Sequence, residues 1–228
     1  TNQDTSDFTR FSGYSLSWDY QYNTLNRKQF SDEGSSFLFK VRFVDGEENT
    51  FPGSNSILID PVIRHHRWLN FETELQSYFL KNRFVHLGIH LKSVFSTQPL
   101  FANYTASLLS VPYFDVLPDM NTFFLPEYRS SQFFGSGLNV VFSLKKKIDL
   151  RFDSYWYQPI LKLSKSQNGV FQTAKLFTES NFLLSSSLIY HTIVGPIRMS
   201  LNFFPEQKDP FAFQISYGYV IFNDKAIR

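Results

Sequence analysis

The alternation of apolar and polar residues at every second position is the feature of this sequence that most restricts its fold. In the first run, small or polar residues alternate with the apolar residues Tyr14, Leu16, Trp18, Tyr20 and Tyr22. Successive side chains of a β-strand point to opposite faces, so this period predicts a strand with one apolar and one polar face. Spacing typical of an amphipathic helix is almost absent from the chain.

Eight further runs follow the same pattern and begin at Phe37, Leu69, Val85, Leu138, Leu150, Leu184, Ile197 and Phe213. Several of them are long: strands of soluble proteins average about 5–6 residues, whereas a tilted strand needs about 9–11 residues to cross a bilayer. The sequence therefore predicts an all-β fold, namely an antiparallel transmembrane outer-membrane β-barrel with about nine strands in this chain.

The apolar series defines which side chains should face lipid. Ten of them are predicted to point outward: Leu16, Trp18, Phe39, Val41, Phe71, Leu87, Ile89, Phe142, Leu201 and Ile215. Five aromatic residues are predicted to form a girdle at the periplasmic rim: Tyr20, Tyr22, Phe79, Tyr190 and Tyr219. Such belts mark membrane–water interfaces. The alternative is a soluble antiparallel sandwich, which also alternates but does not usually place aromatic residues at the ends of its apolar face.

The connections between runs alternate in length. Short ones are predicted near 80–82, 145–147 and 193–195, and long ones at 45–67, 96–131 and 159–181. Short turns on one side and long loops on the other are typical of outer-membrane barrels, in which the short side is periplasmic. The turn at 23–35 is longer than this rule expects, and the loop at 205–210 is shorter. Because loop 96–131 is rich in aromatic residues and proline, we expect it to pack on itself or fold into the barrel mouth, which argues against an open diffusion pore.

Composition excludes several classes of function. The formal charge is +2 and charged residues make up 18% of the chain, which disfavours a nucleic-acid partner. The absence of cysteine excludes disulfides, thiolate metal sites and cysteine nucleophiles. No leader sequence is apparent at Thr1, so we expect that a signal peptide has been removed or that the chain begins inside a longer protein.

The residues that could carry chemistry are few. The segment Phe134-Gly135-Ser136-Gly137 lacks the spacing of a nucleophile elbow and lies on a predicted strand, so we expect no catalytic residue. His86 and His90 would be about 13 Å apart on a strand and could not share a metal ion. The two adjacent histidines at 65–66 have no neighbouring residues that complete a set of metal ligands. We therefore expect no metal and no cofactor.

Charged residues on the polar faces form a second pattern. Lys40 and Arg42 should face Glu72 and Glu74 across a hairpin, with Lys92 on the next strand. We expect these side chains, together with Arg198, to line the lumen. A lattice of this kind stiffens a barrel wall; the alternative is a selectivity filter for an ion or solute.

Three motifs in fixed order point to a family. The turn Gly195-Pro196-Ile197-Arg198 opens a strand, segment 150–154 contains Phe152-Asp153, and segment 127–133 contains Arg129. They resemble, respectively, the Gly-Pro-Ile/Leu-Arg turn, the Phe-Asp-x-Gly strand and the Val-Arg-Gly-Phe/Tyr loop tip of the bacterial surface-antigen superfamily. That superfamily comprises the 16-stranded barrels of outer-membrane assembly factors and two-partner secretion transporters. Tyr155 replaces the glycine of the second motif, and only the arginine of the third is kept.

One branch of that superfamily is more similar, namely the barrels that follow the catalytic domain of patatin-like outer-membrane phospholipases. The similar segments are 23–30, 98–104, 124–129 and 203–222, and the resemblance covers the chain from about Phe11 to Asn223. It implies that residues 1–228 are a single domain, the C-terminal portion of a 16-stranded barrel, in which the first strand here is the eighth. The catalytic and periplasmic domains would then lie upstream of Thr1.

The resemblance also implies a function. We expect a non-catalytic, membrane-embedded barrel that anchors a patatin-like phospholipase, an acyl-ester hydrolase, in the bacterial outer membrane. The alternative is a barrel for outer-membrane protein assembly or polypeptide translocation, and the sequence upstream of Thr1 would separate the two. Expected partners are outer-membrane lipid, lipopolysaccharide and the upstream domains; a homo-oligomer or another protein partner is left open.

In relatives the loop-tip arginine reaches into the barrel toward the Phe-Asp-x-Gly strand. By this resemblance, segment 124–133 should fold into the lumen and bring Arg129 within hydrogen-bond reach of Asp153, directly or through one water. The two-residue period places Asp153 inward, between outward Phe152 and Ser154.

Overall fold

A computed structural model describes residues 4–54, 56, 60–145, 147–165, 171–173, 176–177 and 179–219. The ten strands are β1 (Phe8–Asn23), β2 (Ser35–Phe51), β3 (Val62–Lys81), β4 (Val85–Ser96), β5 (Ser130–Lys145), β6 (Ile148–Lys165), β7 (Phe171–Thr173), β8 (Asn181–Thr192), β9 (Gly195–Phe203) and β10 (Phe211–Tyr217). One short helix, α1 (Tyr104–Ser110), and two 3-10 turns, Pro118–Thr122 and Pro126–Tyr128, lie between β4 and β5. None of the helices in the described ranges is long and apolar enough to cross a membrane.

Nine of the strands form one antiparallel sheet in the order β1-β2-β3-β4-β5-β6-β8-β9-β10. The short β7 pairs only with the end of β6. Over the described residues the sheet is open, with β1 and β10 at its edges. The all-β fold and the nine main strands are confirmed. The three-residue β7 was not predicted, and the expected end of the last strand at Phe222 lies outside the described residues.

The two faces of the sheet differ in what covers them. One is overlaid by the connection 97–129, which we call the plug, and we call this side the covered face. Along β4 every second side chain is buried there, from His86 to Ser96. The opposite side, the exposed face, carries all ten side chains predicted to point outward: five of them, among them Leu16 and Ile215, are exposed and the rest are half-buried. The alternation in the sequence thus predicts the faces correctly.

The connections gather at two ends of the sheet. Residues 24–34, which we call the strap, lie at one end together with residues 82–84, 147 and 193–194. The plug lies at the other end with the described residues of the connections that follow β2, β6 and β9.

Two predicted loops are shorter than expected because the strands continue. Pairing between β2 and β3 extends to Thr50 and Val62, so the connection covers 52–61 rather than 45–67. The alternation is hidden there because the covered face carries polar residues: Glu48 and Thr50 are fully buried and bonded to each other. Similarly, β6 runs on to Lys165, beyond the predicted loop start at Pro159.

The main apolar core lies between the plug and the covered face. Plug residues Phe114, Met120, Leu125 and Tyr128 pack against β4, β5, β6 and β8. A smaller cluster joins Phe101 and α1 to β1, β2 and β3. We expected this loop to pack on itself or to fold into a barrel mouth, and the plug indeed buries its apolar residues against each other and against the covered face of the sheet, which we call the wall.

Gly135 on β5 allows the closest of these contacts. A Cβ atom built at this position would overlap the ring of Phe114. That ring stacks on Tyr157 at a centroid distance of 5.1 Å and meets Phe133 edge-on at 5.7 Å. The glycine in the strand is therefore explained by the approach of the plug.

We predict that Gly135→Ala displaces Phe114 and lowers the free energy of unfolding by about 1–3 kcal/mol, as overpacking of a core does. Urea unfolding in detergent, followed by tryptophan fluorescence, measures the change. Ser136→Ala on the same strand is the control, because residue 136 belongs to the exposed face, and we expect a change within about 0.5 kcal/mol. Equal stability of the two variants would contradict the close approach of the plug.

Candidate functional site

The covered face of β2 and β3 holds the first part of the predicted charge lattice. Lys40 lies directly opposite Glu72, as the sequence suggests. Arg42 lies opposite Asn70, so only one of the two predicted cations lies directly opposite a predicted glutamate. The residue opposite Glu74 on β2 is Leu38.

Glu74 instead takes its partners from β4. His90 Nε2 lies 2.9 Å from Glu74 Oε1. The Lys92 ammonium lies 3.4 Å from Glu74, 3.2 Å from Glu72 and 2.8 Å from Asp115 of the plug. One buried cation therefore serves three carboxylates, and its shortest bond joins the wall to the plug.

A second charged contact between wall and plug lies on β9. Asp119 Oδ2 accepts hydrogen bonds from Arg198 Nη1 at 2.7 Å, Ser200 Oγ at 2.9 Å and Asn202 Nδ2 at 2.7 Å. These donors occupy successive positions on the covered face of the strand. The Arg198 guanidinium is buried and also donates to two serine hydroxyls of β8. Arg198, which we predicted to line the lumen, therefore holds the plug on β9 through its bond to Asp119.

The predicted pair of Arg129 and Asp153 is replaced by two other arrangements. Both residues are buried on the covered side, and Asp153 points inward as expected. However, Arg151 Nε lies 2.8 Å from each oxygen of Asp153, and Asn139 Nδ2 lies 2.5 Å from one of them. The Arg129 guanidinium lies over the ring of Tyr113, 4.4 Å from its centroid. Arg151 reaches Asp153 because the two share one face of β6, two residues apart.

The strap folds inward across the other end of the covered face. Arg151 Nη1 donates to the carbonyl oxygen of Ser31 at 2.8 Å, so the same guanidinium joins Asp153 and the strap. The ring of Phe30 lies 5.0 Å below the Arg198 guanidinium. The strap therefore reaches from the β1–β2 hairpin to β9.

Ion pairs fix the strap to the strand ends. Arg27 Nη1 lies 2.7 Å from Asp149 Oδ2 and 3.0 Å from Asp32 Oδ1. His191 Nε2 lies 2.7 Å from Asp149, and His86 Nδ1 lies 2.9 Å from the carbonyl oxygen of Asp32. None of these contacts was predicted, because the 23–35 connection was treated as a turn.

All five histidines lie beside carboxylates. The pairs are His65 with Asp45, His66 with Glu48, His86 with Asp32, His90 with Glu74 and His191 with Asp149. As expected, His86 and His90 have separate partners. Donor atoms of Asp32, Glu33 and His86 lie within 4.8 Å of one another, but the Arg27 guanidinium already neutralises Asp32. The five imidazoles thus serve structural pairs.

The segment Phe134-Gly135-Ser136-Gly137 lies within β5, as expected, and is part of the wall. A Cβ atom at Gly137 would overlap the ring of Tyr155, just as one at Gly135 would overlap Phe114. Packing against aromatic rings accounts for both glycines.

The five girdle aromatics are exposed: Tyr20, Tyr22, Phe79, Tyr190 and Tyr219. Four of them lie within a few residues of the strap, the turns 82–84 and 193–194, or the end of β10, and Tyr20 lies slightly farther along β1. The structure therefore brings them together along the strap end of the sheet.

Tyr128 is a further link between plug and wall. Burial raises the pKa of its phenol, so the group keeps its proton at ordinary pH. The hydroxyl donates to the carbonyl oxygen of Phe182 on β8 at 3.3 Å.

A comparison of the chain with protein-family models, with curated proteins and with solved structures found no match. The function must therefore be argued from the arrangement of the residues themselves.

We predict that Asp119→Asn lowers the free energy of unfolding by about 3 kcal/mol, because it leaves the buried Arg198 charge without its counter-ion. Urea unfolding in detergent measures the loss. Asp209→Asn, at an exposed position in 204–210, is the matched control and should leave stability unchanged. Similar stability of the two variants would show that the plug is not fixed through Asp119.

Proposed function

We propose that this chain is the membrane-embedded wall of a bacterial outer-membrane β-barrel that anchors a patatin-like phospholipase domain. The observation that carries the proposal is the exposed face of the sheet. Twelve large apolar side chains on this face of β5 to β10 are 38–64% exposed: Phe134, Leu138, Leu144, Phe152, Phe182, Leu184, Leu188, Met199, Leu201, Phe211, Phe213 and Ile215. Soluble monomers rarely expose one continuous apolar surface of this extent.

The opposite face supports the same reading. Its buried residues include Arg42, Lys92, Arg151, Asp153 and Arg198. Charged groups are rarely buried in soluble cores, whereas barrels of the outer membrane place apolar residues outward and polar residues inward. The inside-out distribution of this sheet favours lipid around the exposed face.

The open edges of the sheet at β1 and β10 add a requirement to the proposal. In the hydrocarbon region each backbone polar group needs a protein partner, so a membrane sheet must close. We infer that further strands pair with β1 and β10. The resemblance to 16-stranded barrels suggests that this chain supplies the C-terminal portion and that the strands completing the barrel lie upstream.

The anchoring role is favoured over assembly or translocation by the plug and the strap, which both lie across the covered face. The plug packs an apolar core on β4 to β8, and the strap crosses the other end through Arg151 and Arg198. A polypeptide would need both to move. The phospholipase assignment itself is supported by the sequence motifs, and bacterial outer-membrane location follows from the same proposal, with lipid and lipopolysaccharide as partners.

We predict that Leu138→Arg destabilises the protein in lipid bilayers by about 2–4 kcal/mol, the cost of a cation near the bilayer midplane. Leu144→Arg is the matched control, since it lies on the same strand and face but beside the 146–147 turn. There the cost should be about 0–1 kcal/mol. Equilibrium unfolding of the protein from liposomes measures both values.

If the chain were a soluble sheet, Leu138→Arg and Leu144→Arg would both have small effects on stability. Both leucines are exposed, and arginine at exposed positions of a soluble sheet changes stability by less than about 0.5 kcal/mol. Equal and small effects of the two substitutions would therefore overturn the membrane proposal.

A second prediction concerns activity. We expect the purified 1–228 chain to hydrolyse no phospholipid or ester above the background of a buffer control, because acyl transfer needs a nucleophile, a base and oxyanion donors together. A fluorogenic phospholipid assay measures this. Hydrolysis that persists through purification and is lost on one substitution within this chain would show that the chain is catalytic.

A further inference from the structure

A polar cavity runs along the covered face between the plug and the strap. Its larger part, about 410 Å³, is lined almost entirely by polar and charged side chains of β1 to β4. A smaller part of about 160 Å³ continues toward the strap. Glu74 and Asp115 line both parts, so the two are adjacent.

The plug leaves this side of the interior open. Its apolar core packs on β4 to β8, whereas from Ser12 onward the residues of β1 are exposed on both faces. On the covered face of β1 the cavity is bordered by Ser17, Asp19 and Gln21, which are small or polar. The main core of the plug therefore covers β4 to β8, and over the described residues the polar side of β1 to β3 beyond Phe101, which we call the polar half, is left uncovered.

The strap forms the end wall of the smaller part. Lys28, Phe30 and Ser31 all line it. Beyond them, the strap is bonded to the wall through Arg27 and Asp149 at the base of β6. Movement of the strap would thus extend the cavity to the strap end of the sheet.

The strap is held less firmly than the plug. The plug buries a large aromatic core, while the strap is attached mainly by hydrogen bonds and ion pairs, with only Leu25 and Phe30 half-buried as apolar contacts. Phe30 also has a φ of 53°, in the left-handed region that is costly for a bulky residue. Segments with few apolar contacts and a strained residue are those that open first.

We propose that the strap is the gate of a narrow passage for water and small inorganic ions along the polar half of the interior. This inference rests on the proposed membrane barrel, because a passage has meaning only if lipid surrounds the wall. The passage carries both signs of charge, including Asp19, Lys40 and Glu72, which suits small hydrated ions. The plug excludes larger solutes.

The test is the conductance of the complete protein in planar bilayers with potassium chloride. Wild type should show a low conductance, and Arg27→Gln, which removes the bond to Asp149, should raise it several-fold. Lys208→Gln, which removes an exposed cation from 204–210, is the charge-matched control and should behave as wild type. Phe30→Asn provides a second variant: it removes the ring beneath Arg198 while keeping a residue that tolerates positive φ.

A cysteine probe locates the conducting path. Residues 1–228 contain no cysteine, so Ser17→Cys adds one thiol to this chain beside the cavity, and any cysteine upstream of Thr1 is first replaced by serine. In the Arg27→Gln background, a charged methanethiosulfonate reagent should abolish the added conductance at residue 17. The same reagent at Ser12→Cys, on the exposed face of β1, should not.

The outcomes separate the two proposals. Protein that fails to insert into bilayers would overturn both the membrane barrel and the gate. Inserted protein whose Arg27→Gln and Phe30→Asn variants conduct as wild type, or whose added conductance survives modification at residue 17, would overturn the gate alone.

Discussion

The inverted distribution of polar and apolar side chains across one sheet is the constraint on which the rest of the structure depends. The exposed side of the strands is apolar, whereas the covered side combines the apolar core with fully buried charges such as Arg198. A buried charge is tolerated only when it is paired and hydrogen-bonded. The buried charges therefore need partners from the plug and the strap, and in the proposed membrane barrel lipid would cover the exposed apolar face.

Two carboxylates of the plug, Asp115 and Asp119, meet that need. Between Ser96 and Pro126 the sequence contains only two charged residues, Asp115 and Asp119. One bonds to Lys92 on β4 and the other to Arg198 on β9. An otherwise uncharged segment is thus oriented by two ion pairs on widely separated strands, while its aromatic residues supply the packing between them.

The strands and their faces could be predicted from sequence, because a period of two is a local signal; the plug contacts could not, because they join residues far apart in the chain. Asp119 and Arg198 are 79 positions apart. The only sequence feature that pointed to this contact is the presence of two isolated acidic residues in a loop rich in aromatic residues. Arg129 illustrates the limit of resemblance. Its motif predicted Asp153 as partner, but Arg151, on the same face of β6, takes that place. The contacts of the strap were not predicted, because the only unusual feature noted for the 23–35 turn was its length.

Quenching of single tryptophans by lipid tests the central claim, that the exposed face lies in the membrane, most directly. Trp18 and Trp156 belong to the exposed face, and Trp68 is buried on the covered face. In liposomes of phospholipids brominated on their acyl chains, variants that retain only Trp18 or only Trp156 should lose much of their fluorescence, and the variant that retains only Trp68 should not. Quenching of Trp18 and Trp156 by aqueous iodide, with no effect of the brominated lipid, would contradict the account.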